Sequence, residues 1–73
     1  MEKSIEELVF IVEEAPDGGY IAKALGVSIV TEADDLATLR SQVMDAVRCH
    51  FVVEKQRPRI IRLHMVKDEV LAS

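Results

Sequence analysis

Leu8-Val9-Phe10-Ile11-Val12, followed by Ala15-Pro16-Asp17-Gly18-Gly19 and then Tyr20-Ile21-Ala22-Lys23-Ala24-Leu25, decides the fold of this chain. Proline presets φ at the first turn position, aspartate suits the second, and glycine takes the left-handed conformation that closes a hairpin. A first strand over about Ile5 to Glu14 therefore turns back into a second over Tyr20 to Leu25. Side chains alternate along a strand, so Leu8, Phe10 and Val12 point to one side and Val9 and Ile11 to the other. Both sides are apolar, and one long helix can cover only one. The remaining face must meet another copy, another protein or water, and water is the least favourable.

The rest of the chain supplies that helix and two more strands. After Gly26, Ser28-Ile29-Val30-Thr31 is β-branched enough for a short third strand. Asp34 or Asp35, with Asp35 preferred, caps a helix running to about Val52. Leu36, Leu39, Val43, Ala46, Val47 and His50 recur at three- and four-residue intervals and form its apolar stripe. Glu54 to Pro58 is a polar connection. Arg59 to Val66 alternates again, with Ile61, Leu63 and Met65 on one side and Ile60, Arg62, His64 and Val66 on the other. Lys67 to Ser73 is a frayed turn or a short helix.

The expected fold is thus α+β, a small, mostly antiparallel sheet in β-β-β-α-β order with one helix on one face, forming a single domain over residues 1–73. Leu8, Phe10, Val12, Leu36, Leu39, Val43, Val47, Ile61 and Leu63 are expected in the core. Val9, Ile11, Tyr20 and Ile60 are the candidates for a partner or dimer interface, Tyr20 being equally suited to the core or to an interface.

Composition sets the class. A 73-residue domain buries roughly 60% of its unfolded surface, so association would add needed stability. A hydrophobic content of 49% is too high for a disordered tail, and charged residues at 30% leave no membrane span. The acidic start Met1-Glu2-Lys3-Ser4-Ile5-Glu6-Glu7 is unlike a secretory signal, and Cys49 is a lone cysteine, so a cytoplasmic protein is expected. Residues 1 to 36 carry nine acids against Lys3 and Lys23, a net of −7, while residues 37 to 73 carry seven bases against four acids, a net of +3. An excess of base and stacking aromatics, the marks of a nucleic-acid binder, are missing. The local basic patch Lys55, Arg57, Arg59 and Arg62 reads first as a solvated loop and strand edge, and direct nucleic-acid binding is disfavoured. The acidic first half suits a basic partner.

No residue set points to catalysis, so no enzyme activity, cofactor or metal is expected. Cys49 and His50 are adjacent on a helix and point about a hundred degrees apart, a poor geometry for chelation or for a nucleophile–base pair. Glu6-Glu7 and Glu13-Glu14 are strand neighbours that face opposite ways, and Asp34-Asp35 serves the helix start. Gly18-Gly19 joins two strands, so it is a turn rather than a phosphate loop. Two other classes stay open: a small-ligand binder with a pocket between sheet and helix near Tyr20, Cys49 and His50, and a weak nucleic-acid binder through residues 55–62.

Asp17-Gly18-Gly19-Tyr20-Ile21-Ala22, followed by Thr31-Glu32-Ala33-Asp34-Asp35-Leu36 opening a helix, resembles the small domain of HicB-type antitoxins over about Leu8 to Val52. Ala33 stands where that family usually has glycine, Asp35 where it has threonine, and Ala37-Thr38 where it has glutamates. The resemblance implies a non-catalytic module that associates with itself, as a dimer or higher oligomer, and masks a small RNA-cleaving toxin. Many members add a DNA-binding segment after this domain. Only residues 67–73 follow strand four here, so direct operator binding is not expected.

Overall fold

The computed structural model describes residues 6–67 and 70–72. Ile5, expected at the start of the first strand, and Asp68, Glu69 and Ser73 of the tail lie outside the described residues. The elements are β1 (Glu7–Glu14), β2 (Tyr20–Ala24), β3 (Val30–Ala33), α1 (Leu36–His50), a short 3₁₀ turn (Glu54–Gln56) and β4 (Ile60–Met65). They form one four-stranded sheet in the order β3-β2-β1-β4, with α1 packed on one side. The α+β class and the β-β-β-α-β order are as the sequence leads one to expect.

The hairpin closes as its residues demand. The Gly18 amide donates to the Ala15 carbonyl at 3.1 Å and the Ala15 amide to the Gly19 carbonyl at 3.0 Å. Gly18 and Gly19 sit at φ of 102° and 83°, which side chains disfavour. A five-residue loop leaves Glu14 opposite Tyr20, and the ladder runs on to Phe10 opposite Ala24.

The third strand begins two residues later than its β-branched content suggests. The Ile29 amide is taken by the Val27 carbonyl in a tight turn, and its side chain drops into the core. Pairing starts at Val30 opposite Lys23 and extends to Ala33 opposite Tyr20.

Helix α1 starts where the Asp35 carboxylate accepts from the Thr38 amide at 2.7 Å. It stops at His50, two residues short of the expected end. The Phe51 amide makes the last helical bond, to Val47, while its carbonyl accepts from Arg57 Nε at 2.9 Å. Arg57 thus supplies the stop that a glycine would have marked. His50, expected on the apolar stripe, is exposed and meets Phe51 edge-on, because the stripe runs off the sheet after Val47.

The fourth strand makes the sheet mixed. β4 lies beside β1 and parallel to it, Leu8 opposite Ile61, Phe10 opposite Leu63 and Val12 opposite Met65, with α1 within the long connection that such pairing requires. Leu8, Phe10, Val12, Ala22, Ile29, Leu39, Val43 and Val47 form the buried core. Leu36, Ile61 and Leu63, also expected there, are half-buried against it. Val70 and Leu71, in the tail, are exposed and outside any helix or strand.

Candidate functional site

The face of the sheet turned away from α1 is set by the ladder register. On β1 it presents Glu7, Val9, Ile11 and Glu13, since their neighbours Leu8, Phe10 and Val12 are buried under the helix. Residues opposite one another in a ladder share a face, so β4 adds Ile60, Arg62 and His64, β2 adds Ile21 and Lys23, and β3 adds Val30 and Glu32. Reading across the strands gives rows: Ile60 beside Glu7, Arg62 beside Val9, His64–Ile11–Lys23–Val30, and Glu13–Ile21–Glu32.

Aliphatic side chains occupy the middle of this face. Val9, Ile11 and Ile21 are half-exposed, and Ile60 and Val30 are exposed at its two edges. Charge is placed unevenly around them. Arg62 Nε donates to the Glu7 carboxylate at one end of the face. At the hairpin end, among the described residues, Glu13 and Glu32 have no cation within ion-pair distance, so that end of the face is acidic.

Three of the four interface candidates, Val9, Ile11 and Ile60, meet on this surface. Tyr20 does not. It pairs with Glu14 and Ala33 on the helix side and packs half-buried against the core, because the five-residue loop gives it the same parity as Val12. Ile21 takes its place, and with Val30 was missed because strands of five and four residues show too few alternations to reveal which side is covered.

Tyr20, Cys49 and His50 do not share a pocket. Tyr20 borders an open depression of about 520 Å³ with Pro16, Asp17, Asp34, Thr38 and Gln42, at the start of the helix. Cys49 and His50 border a separate shallow one with Ser28, Ile29, Val30 and Ala46, at its end. Among the described residues, no three His, Cys, Asp or Glu side chains gather as a metal site requires.

The basic patch is largely engaged within the chain. Arg57 holds the Phe51 carbonyl, Arg59 lies 3.8 Å from the Glu6 carboxylate, and Arg62 binds Glu7. Lys55 lies in the 3₁₀ turn before Arg57. No described helix is long and apolar enough to cross a membrane.

No protein-family model matches the chain, and no solved structure does. Two curated proteins are similar to it along most of their length. A UPF0150 protein of Thermotoga maritima is 40% identical over 67 residues, covering 92% of this chain and 93% of that protein. A UPF0150 protein of Archaeoglobus fulgidus is 48% identical over 58 residues, covering 80% of this chain and 85% of that one. At this identity and coverage, the chain belongs to the UPF0150 family.

Proposed function

We propose that the chain is a non-catalytic protein-binding module of the HicB antitoxin kind, which associates with itself and holds a small basic protein, a ribonuclease toxin, against its open sheet face. The observation that supports this most is the patch of Val9, Ile11, Ile21 and Ile60 left half-exposed or exposed, while α1 buries Leu8, Phe10, Val12 and Ala22 on the opposite face. Covering that surface contributes about 25 cal/mol per Å² of apolar area before the cost of association. The acidic row Glu13–Ile21–Glu32 lies at one end of the same face and would speed encounter with a cationic partner. The Asp17-Gly18-Gly19-Tyr20 hairpin that carries the antitoxin resemblance leads into β2, which supplies Ile21 to this face.

The test is co-expression with the product of the adjacent reading frame. Retention of that protein by the wild-type chain, inhibition of its ribonuclease activity, and loss of both on Val9→Asp with Ile11→Asp are the expected results. A neighbour bound equally well by the double variant would overturn the assignment of the face.

A further inference from the structure

The outer edge of β4 carries a second feature, distinct from the open face. The Ile60 amide donates to the Glu6 carbonyl at 3.1 Å and the Val66 amide to the Val12 carbonyl at 2.8 Å. A parallel ladder alternates, so Ile60, Arg62, His64 and Val66 turn their backbone groups toward β1, and Ile61, Leu63 and Met65 turn theirs outward. Beyond β4 no further strand follows among the described residues. The strand also lacks the proline, lysine or bulge that blunts an edge.

The side chains of these three outward residues are as incompletely covered as their backbone. They point to the helix side, but α1 lies closest to β3 and β2. Ile61 and Leu63 are therefore only half-buried, and Met65 is 49% exposed. Among the described residues, amides with no strand beside them and an incompletely covered apolar strip thus coincide along one edge.

We infer that this edge is taken by the β4 strand of a second copy, paired antiparallel about Leu63; the inference rests on the self-association in the reading above and names its surface. Parity restricts the choice, because only outward-turned residues can exchange hydrogen bonds. With Leu63 opposite its own copy, Ile61 meets the second copy's Met65, and each pair exchanges both backbone bonds. Arg62, already held by Glu7, then lies across from His64. Shifting the axis to Arg62 sets two guanidinium groups directly opposite, which is unfavourable. Shifting it to His64 carries the ladder past the end of the strand at Met65. The register about Leu63 is thus the one of these that pairs all three outward-turned residues within the strand without setting guanidinium groups opposite. The other sheet edge, β3, offers only four residues and lies against the helix.

In the resulting eight-stranded sheet Ile61, Leu63 and Met65 of both copies lie side by side on the floor between the two helices. It also places the two open faces side by side, so that two partner molecules, or one two-fold partner, could be held.

The experiment is sedimentation of the full chain at micromolar concentration, together with cysteine trapping in a Cys49→Ser background. A hydrogen-bonded antiparallel pair has Cα atoms about 5.5 Å apart, within disulfide range. Leu63→Cys is expected to yield a covalent dimer on mild oxidation and Val30→Cys, at the β3 edge, to yield none. Met65→Lys is expected to raise the dimer Kd about tenfold or more with an unchanged circular dichroism spectrum, while Val9→Asp with Ile11→Asp leaves the dimer intact. A wild-type monomer would overturn the inference, as would a covalent dimer formed by the Val30→Cys variant, or a dimer dispersed by the open-face pair and indifferent to Met65→Lys. Partner protein bound by a monomer would sink this inference, and the self-association with it, but spare the partner-binding role of the open face; a β4-paired dimer whose open face binds no protein would do the reverse.

Discussion

Arg62 on β4 reaches across to Glu7 on β1 and donates to its carboxylate through Nε, tying together two strands 55 residues apart in sequence. The pair sits at the end of the open face, with side-chain exposures of 60% and 34%. Ile60 lies opposite Glu7 and Arg62 opposite Val9, so the pair crosses the ladder diagonally and neutralises a base on the open face.

Exposed ion pairs contribute little to stability. Glu7→Gln or Arg62→Ala is expected to cost under about 1 kcal/mol, and less at high salt. Urea unfolding at low and high ionic strength checks this; an effect several times larger and insensitive to salt would contradict it.

The core sets stability far more strongly. Phe10 of the sheet and Leu39 of the helix have no exposed surface and belong to the same buried cluster. Phe10→Ala is expected to cost about 3–5 kcal/mol and Leu39→Ala about 2–5 kcal/mol, enough to unfold much of a marginally stable domain. Ile60→Ala on the open face removes an exposed group and should change the denaturation midpoint little.

The two hairpin glycines should separate in their tolerance. Both have left-handed φ, which costs an alanine about 1–2 kcal/mol. At Gly19 an added Cβ would also lie 2.8 Å from the Ala33 carbonyl oxygen, whereas at Gly18 it meets open space. Gly19→Ala is therefore expected to lower Tm clearly more than Gly18→Ala in parallel thermal melts.

The helix cap makes stability depend on acid. The amide of Thr38, bonded to the Asp35 carboxylate, holds its pKa below the ordinary value of 3.8. Because the folded state favours the charged form, this contribution is complete above the ordinary carboxylate range and is lost as pH falls through the lowered value. Asp35→Ala should reduce Tm at neutral pH and narrow its difference from wild type in strong acid, while Asp35→Asn, which also caps, should lose less.

Local chemistry made much of this fold legible in advance. The loop Ala15–Gly19, the Asp35 cap and the pairing of Leu8, Phe10 and Val12 with the helix stripe all follow from residues close in sequence. The direction of β4 does not, because Ile61, Leu63 and Met65 alternate identically in a parallel and an antiparallel strand. Nor does the side taken by Tyr20, which depends on the parity of the hairpin register. The helix end at His50 was hidden because the group that closes it, Arg57, lies in the following loop. At the candidate site, Val9, Ile11 and Ile60 were readable from alternation, and Ile21, Val30 and the acidic row emerged only once the strands were in register.

Whether the helix-free side of the sheet recruits another protein is read from affinity capture in native lysate, comparing what the wild-type chain and the folded Val9→Asp, Ile11→Asp variant retain. A small basic protein held by the first and missing from the second is the expected result. Recovery of the same proteins in the same amounts by both would contradict it.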